Sequence, residues 1–167
     1  MKTLGELGKY QQRRRLAIAI VIGLLVVALL FVSSQSDGYL HEYIEAFGIS
    51  LIVAAILGRM WCTLYIGGRK SAEIVQTGPY SMTRNPLYVF SSIGAIGIGA
   101  QTGSIIIALA FGVLCYLAFA TVIRTEEKFL KANFGKPYAD YCARVPRFFP
   151  RFSAFRDEDA LLVKPDR

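Results

Sequence analysis

The stretch GPYSMTRNPLYV, residues 78–89, separates two strongly apolar segments of the chain. Its Gly-Pro start is typical of a turn, and proline is well tolerated in the first turn of a helix. We therefore predict that a helix begins at Pro86, with Asn85 as its N-terminal cap. A turn at a membrane surface would account for the Gly-Pro start and for the helix that begins at Pro86. The wall of a binding site is the alternative interpretation, because one arginine and two tyrosines fall close together here: Tyr80, Arg84 and Tyr88.

The composition indicates a membrane protein. Of the 167 residues 54% are hydrophobic, and the mean hydropathy is +0.42, which is too apolar for an ordinary soluble domain of this size. The net charge of +7 is carried by segments that flank apolar runs, a pattern that indicates membrane orientation rather than nucleic-acid binding. Cys62, Cys115 and Cys142 have no metal-ligand spacing, so we expect neither a disulfide bond nor a metal site.

Apolar runs predict about four membrane-spanning helices. Their bounds are Leu16–Val32, Tyr43–Tyr65, Leu87–Ala100 and Ile105–Ile123. No cleavage site follows the first run, so we expect a retained span rather than a secretory signal. The last two runs are joined by four residues, which predicts an antiparallel hairpin over residues 86–123. Small residues in the third run would let a neighbouring helix approach closely, and the fourth helix should continue through Phe134 and end at Gly135.

The distribution of lysine and arginine predicts the orientation of these helices. Residues 1–15 are strongly basic, residues 33–42 hold no lysine or arginine, and cations return in residues 66–86 and after residue 123. Both termini are therefore expected on the cytoplasmic side of a multi-pass membrane protein. The expected parts are a basic N-terminus (1–15), two N-terminal spans (16–65), a core made of loop, hairpin and cytoplasmic helical tail (66–155), and a flexible C-terminus (156–167).

Two carboxylates follow the fourth apolar run. Lysine and arginine suit a helix C-terminus better than acids do, so Glu126 and Glu127 are unusual at this point. A solvated helical turn is one interpretation, in which Glu127 pairs with Lys131 four residues later. That interpretation leaves Glu126 unexplained. A further segment, residues 134–150, predicts a short helix rich in tyrosine, either a lid on the membrane face or an amphipathic interfacial helix.

Taken together, these motifs resemble the isoprenylcysteine carboxyl methyltransferases and their bacterial phospholipid-methyltransferase-like relatives. The matching pieces are Gly78 and Tyr80, Arg84-Asn85-Pro86-Leu87-Tyr88, Glu126-Glu127-Lys128-Phe129-Leu130, Phe134-Gly135 with Tyr138 and Tyr141, and Val145-Pro146 with Pro150. They cover roughly residues 70–152, and their order and spacing are more specific than any single piece.

The resemblance implies an integral enzyme of a bacterial inner membrane that binds S-adenosylmethionine at its cytoplasmic face and methylates a lipid or lipid-like acceptor. It implies a cofactor site whose wall is formed by the backbone of Glu73, Ile74 and Val75 and by Tyr80, Asn85, Pro86, Tyr88 and Glu126. Arg84, Glu126 and Arg124 are the candidate catalytic residues. The chain has Asn85 where the family usually has histidine, and Val122 where eukaryotic members have a substrate-binding arginine, so Arg124 is the candidate substitute.

Two other functions remain open from the sequence. One is a non-catalytic membrane protein that binds the cofactor. The other is a sterol-reductase-like enzyme that uses NADPH, because those proteins have a related C-terminal hairpin. The methyl acceptor could be a prenylcysteine carboxylate or a phospholipid amine.

Overall fold

The computed structural model describes residues 38–67 and 73–157. The predicted span Leu16–Val32, the basic N-terminus and residues 158–167 lie outside this part of the chain. Within it the backbone forms helices and no strand, which confirms an all-helical fold. The helices are α1 (Tyr39–Ile66), α2 (Pro79–Met82), α3 (Pro86–Ala100), α4 (Ile105–Phe134) and α5 (Lys136–Arg144), followed by a 3-10 turn at Phe152–Ala154.

Helices α1 and α4 are long and apolar enough to cross a membrane. Large apolar side chains are exposed on both, as expected of surfaces that face lipid: Ile56, Leu57 and Met60 on α1, Leu109 and Val113 on α4. Helix α3 has 15 residues and rises about 22 Å, which is short of a bilayer core of about 30 Å. Length and composition thus support two spans among the described residues, and a total of four remains a prediction.

The predicted helix boundaries agree closely with the observed ones. Helix α1 extends the predicted span Tyr43–Tyr65 by one turn at its start, and α3 begins at Pro86 as expected. Helix α4 continues through Phe134. It ends at Gly135, whose φ of 58° lies in the region that favours glycine. The second helix of the hairpin therefore extends well beyond the length that a membrane requires.

Close backbone contact between α1 and α3 requires glycine. A Cβ atom added at Gly97 of α3 would lie 2.7 Å from the carbonyl oxygen of Gly48 in α1. Gly99 of α3 lies equally close to α4, because a Cβ atom added at Gly99 would lie 2.8 Å from Cα of Ala108. The small-residue surface of α3 therefore lets α1 and α4 pack on it at short range, which confirms the expectation from the sequence.

The turn between α3 and α4 is fixed by hydrogen bonds. The hydroxyl of Ser104 accepts a hydrogen bond from the backbone N–H of Ile107 at 3.5 Å and so caps α4. The side chain of Gln101 donates to the carbonyl of Glu45 in α1 at 3.1 Å. At the other end of α3, Arg59 of α1 donates to the hydroxyl of Ser91. These contacts hold the hairpin against α1.

Helix α5 packs one face onto the end of α4. Tyr138 and Tyr141 are three residues apart, which places their rings on the same side of the helix. Both are buried together with Val145, and Ile74 and Leu130 pack against them. The tyrosines of this segment are therefore core residues of the tail, not surface side chains.

Residues 145–157, which we call the strap, run back along the loop that contains Gly78 to Asn85. The backbone N–H of Gly78 donates to the carbonyl of Arg156 at 2.7 Å, that of Arg151 to Met82 at 3.0 Å, and that of Arg84 to Pro146 at 2.9 Å. Residues 78–83 are buried as a result. The tail thus folds against the loop, and this contact shields residues 78–83 of the loop from solvent.

Candidate functional site

A hydrogen bond joins the start of α3 to the upper part of α4. Tyr88 lies in the first turn of α3, and its hydroxyl donates to Oε2 of Glu126 at 2.9 Å. The ring of Tyr88 also lies 4.7 Å from that of Phe119, centroid to centroid. Phe119 and Glu126 are seven residues apart and so share one face of α4. All three side chains are half-buried, which leaves them accessible to a small molecule.

An ion pair lies beside this contact. Nη2 of Arg84 is 3.3 Å from Oε1 of Glu127, and the two side chains are only 10% and 11% exposed. Nε of Arg147 in the strap donates to Oε2 of the same carboxylate at 2.9 Å. The predicted ion pair between Glu127 and Lys131 is therefore wrong. The loop and the strap each place an arginine beside Glu127, and these contacts replace the local pair. Arg84 thereby links the loop to a carboxylate of α4.

Asn85 occupies the N-terminal cap position of α3, but its side chain does not cap the helix. Instead Nδ2 donates to the carbonyl of Arg147 at 2.9 Å. The strap passes close enough to present this carbonyl, and the longer-range contact replaces the expected cap. Pro86 follows as the first helical residue and is buried. Asn85 therefore ties the strap to the start of α3.

Tyr80 lies in a different environment from Tyr88. Its ring is buried against Cys62 and Tyr65 of α1, and its carbonyl accepts a hydrogen bond from the hydroxyl of Tyr141 at 2.7 Å. Its own hydroxyl is buried with no hydrogen-bond partner among the described residues. Burial raises the pKa of Tyr80, and also that of Tyr141, above the ordinary value of 10.0. The two rings of Tyr80 and Tyr88, expected in one pocket, thus pack in separate surroundings.

The strip before the loop contributes its side chains to two clusters. Ile74 packs against Tyr138 and Tyr141, whereas Val75 packs against the cluster that contains Tyr80. Glu73 is exposed. Since the side chains of Ile74 and Val75 are occupied by packing, any contact of these two residues with a ligand would involve the backbone, as the resemblance implies.

Arg124 is exposed on α4. Its position is about 200° around the helix from that of Glu126, so the two side chains leave α4 in nearly opposite directions. Among the candidate residues, the structure thus groups Arg84, Asn85, Tyr88 and Glu126 around the start of α3 and leaves Arg124 apart from them.

Two cavities border the loop. The larger, about 470 Å³, is lined by Gln76, Thr77, Ser81, Ala143, Arg144, Val145, Arg151, Ala154 and Arg156. The smaller is an apolar cleft of about 120 Å³, lined by Trp61, Pro79, Met82, Thr83, Pro86, Val89, Phe90, Ile93, Pro150 and Phe152. Neither includes Tyr88 or Glu126. The contact between Tyr88 and Glu126 therefore lies outside both cavities.

Two residues of this site, Phe119 and Arg147, were missed from the sequence. Phe119 was recognisable only by its spacing of seven residues from Glu126. Arg147 gave no local signal, since its contact with Glu127 depends on how the strap folds back.

A family model described as phospholipid methyltransferase matches residues 17–137. The chain belongs to this family. Within it, the chain is 42% identical over 159 residues to the nickel-cobalt-cadmium resistance protein NccN of Alcaligenes xylosoxydans xylosoxydans, covering 94% of this chain and 74% of that protein. It is 37% identical over 159 residues to the cobalt-zinc-cadmium resistance protein CzcN of Cupriavidus metallidurans, covering 94% and 73%.

Another relative carries an enzyme name. The chain is 32% identical over 120 residues to protein-S-isoprenylcysteine O-methyltransferase B of Arabidopsis thaliana, covering 66% of this chain and 61% of that protein. No solved structure matches the chain. The family model and these relatives confirm the resemblance noted from the sequence. By its family, the chain is a membrane methyltransferase. In residues 38–67 and 73–157 no three histidine, cysteine, aspartate or glutamate side chains are grouped to hold a metal ion.

Proposed function

We propose that this protein transfers a methyl group from S-adenosylmethionine to a lipid or lipid-like acceptor at the cytoplasmic surface of the membrane. The observation that carries the proposal is the contact between Tyr88 and Glu126, two residues from separate motifs of the family that meet at 2.9 Å. When bound, S-adenosylmethionine would supply an electrophilic methyl group on a sulfonium centre.

The chemistry of these side chains suits a cation. A carboxylate attracts positive charge, and the electron-rich faces of aromatic rings do so as well. Glu126 provides the carboxylate, and the rings of Tyr88 and Phe119 lie next to it. We propose that Glu126 and Tyr88 hold the cationic part of the cofactor. Ile74 and Val75 would contact it through their backbone.

The neighbouring ion pair would position the loop. Arg84 and Glu127 are largely buried, and Arg147 attaches the strap to the same carboxylate. These contacts fix where α3 begins and therefore where Tyr88 stands relative to Glu126. Methyl transfer is an in-line displacement, and correct alignment of the reacting groups accounts for much of the rate. Arg84 would thus act on the reaction by orientation.

The level of the site along α4 supports a lipid acceptor. Twenty residues of an α-helix rise about 30 Å, the thickness of a bilayer core, so Ile105 to Arg124 would fill it. Glu126 and Glu127 would then lie just beyond the membrane boundary. Arg124 is exposed at that boundary, but it leaves α4 in nearly the opposite direction to Glu126, so it would not contact an acceptor that is aligned with a cofactor held by Glu126.

The direct test is transfer of a labelled methyl group. Purified protein is incubated with methyl-labelled S-adenosylmethionine and total membrane lipid, and the labelled product is identified by mass spectrometry. We expect label in a lipid product, much reduced with Glu126→Gln. Absence of labelled product from lipid and from prenylcysteine substrates, with cofactor binding retained, would favour a non-catalytic cofactor-binding protein instead.

A second proposal concerns the biological process. Two relatives that match 94% of this chain are named for resistance to nickel, cobalt, zinc or cadmium. We propose that methyl transfer by this protein contributes to tolerance of such metal ions. Deletion of its gene should lower growth in these metals, and wild-type protein should restore it whereas Glu126→Gln should not. Restoration of growth by both the wild-type protein and Glu126→Gln would show that metal tolerance does not depend on methyl transfer.

A further inference from the structure

The larger cavity has a strongly basic lining. Arg144, Arg151 and Arg156 border it, and none of the lining residues within the described ranges 38–67 and 73–157 is acidic. Arg144 is partly fixed, because its Nη2 donates to Oε1 of Gln76 at 2.9 Å. A guanidinium group has five N–H donors, so further donors remain. Three guanidinium groups around a space of about 470 Å³ favour a ligand with a phosphate or carboxylate group.

Thr77 borders the same cavity. Its Oγ1 is buried and has no hydrogen-bond partner among the described residues. An unpaired buried hydroxyl is unfavourable, and native proteins rarely keep one without a reason. The oxygen is closed to solvent in this side-chain conformation, and a rotation of the Thr77 side chain toward the cavity would let the hydroxyl donate a hydrogen bond to a bound anion.

The strap that supplies two of the arginines also carries exposed aromatic side chains. Phe149, Phe152 and Phe155 are 74%, 75% and 45% exposed. The rings of Phe148 and Phe149 lie 4.8 and 6.2 Å from that of Tyr116, within the apolar part of α4. Exposed aromatic and basic residues on one segment are typical of a membrane interface. An anion that reaches this cavity is therefore best supplied by the lipid surface.

We propose that the cavity binds the phosphate group of an anionic phospholipid, with Arg151, Arg156 and Thr77 as its main contacts. The site uses neither Tyr88 nor Glu126, so it goes beyond the proposed methyl transfer and does not depend on it. A lipid held there would fasten the strap, and with it the loop, to the membrane surface.

The test is native mass spectrometry of the full chain, released from detergent in the presence of phosphatidylglycerol. We expect one retained lipid. The double variant Arg151→Gln/Arg156→Gln should lower its occupancy at least several-fold, whereas Lys136→Gln, an exposed charge on α5 that does not line the cavity, should not. Thr77→Val should lower occupancy without lowering thermal stability, because the lost hydroxyl has no hydrogen-bond partner within residues 38–67 and 73–157.

Other outcomes would overturn the proposal. Wild-type lipid occupancy in the arginine double variant would show that the cavity does not hold the lipid. Full displacement of the lipid by inorganic phosphate would assign the site to a soluble anion. Loss of S-adenosylmethionine binding in the double variant, with lipid retention unchanged, would assign the arginines to the carboxylate of the cofactor.

Discussion

Tyr88 of α3 donates a hydrogen bond to Glu126 of α4 at 2.9 Å, although the two residues are 38 positions apart in the chain. The contact depends on the hairpin, which brings the first turn of α3 beside the part of α4 that extends past the apolar run. It joins two of the motifs that carry the family resemblance.

The hydroxyl groups of two tyrosines offer a matched pair of substitutions. Tyr88→Phe removes a hydrogen bond to a carboxylate and should weaken S-adenosylmethionine binding roughly tenfold, about 1.4 kcal/mol. Tyr80→Phe removes a buried hydroxyl that has no hydrogen-bond partner in the part of the chain that the structure describes, so binding should be unchanged and stability equal or higher. Calorimetry and thermal unfolding in detergent would measure both. Unchanged cofactor affinity in Tyr88→Phe would remove this hydroxyl from the site.

Two arginines that share one carboxylate provide a second comparison. Arg84→Lys keeps the charge but loses the planar guanidinium group. Because Arg84 is 10% exposed beside Glu127, we expect a loss of about 1–2 kcal/mol in stability and lower methyl transfer. Arg147→Lys should have a smaller effect, since its side chain is 52% exposed. Equal losses of stability in the two variants would show that the buried pair Arg84–Glu127 contributes no more to stability than the exposed contact of Arg147 with Glu127.

The buried tyrosines of the tail predict a loss of stability at high pH. Burial raises the pKa of Tyr80, Tyr138 and Tyr141 above 10.0. Their contribution to the free energy of unfolding is therefore complete below pH 10, and it falls as the pH rises above 10, because the unfolded chain then loses these protons first. Thermal unfolding between pH 8 and 11 would measure this.

Tyr141→Phe serves as the control for the pH prediction. It should be less stable at neutral pH, because the hydrogen bond to the carbonyl of Tyr80 is lost. Its stability should also decline less steeply at alkaline pH. A decline as steep as that of the wild-type protein would mean that Tyr141 does not contribute to the pH dependence.

Membrane topology can be tested with reporter fusions. Asn85 and Arg147 are hydrogen-bonded to one another, so the loop and the strap lie on the same side of the membrane. Along the chain, helix α1 lies between Asp37 and the loop, and it is long enough to cross a membrane. Fusions at Asp37 and Phe155 should therefore report opposite sides, with Phe155 cytoplasmic. Reporters on the same side would contradict this topology.

Local sequence signals predicted the helices of this protein well. Pro86 marks the start of α3 and Gly135 the end of α4, because proline and glycine restrict the backbone in known ways. The glycines of α3 predicted close helix packing for a similar reason: a side chain at Gly97 would have no room.

Contacts between distant segments were not predictable in the same way. The sequence suggested Lys131 as the partner of Glu127, since four residues is the natural spacing for a helical ion pair. Arg84 and Arg147 lie beside Glu127 instead, because the strap folds back along the loop. The cap at Asn85 was mispredicted for the same reason: the carbonyl of Arg147 comes within 2.9 Å of its side chain. Neither contact leaves a periodic pattern in the sequence.

The most direct test of the cofactor site is the affinity for S-adenosylmethionine of the wild-type protein and Glu126→Gln, measured by calorimetry in detergent. Losing a charge-assisted contact should cost about 1.5–3 kcal/mol. Lys128→Gln changes an exposed charge on the same helix and should bind normally. Glu127→Gln should bind far better than Glu126→Gln once its loss of stability is taken into account. Equal affinity in the wild-type protein and Glu126→Gln would contradict the site proposed at Tyr88 and Glu126.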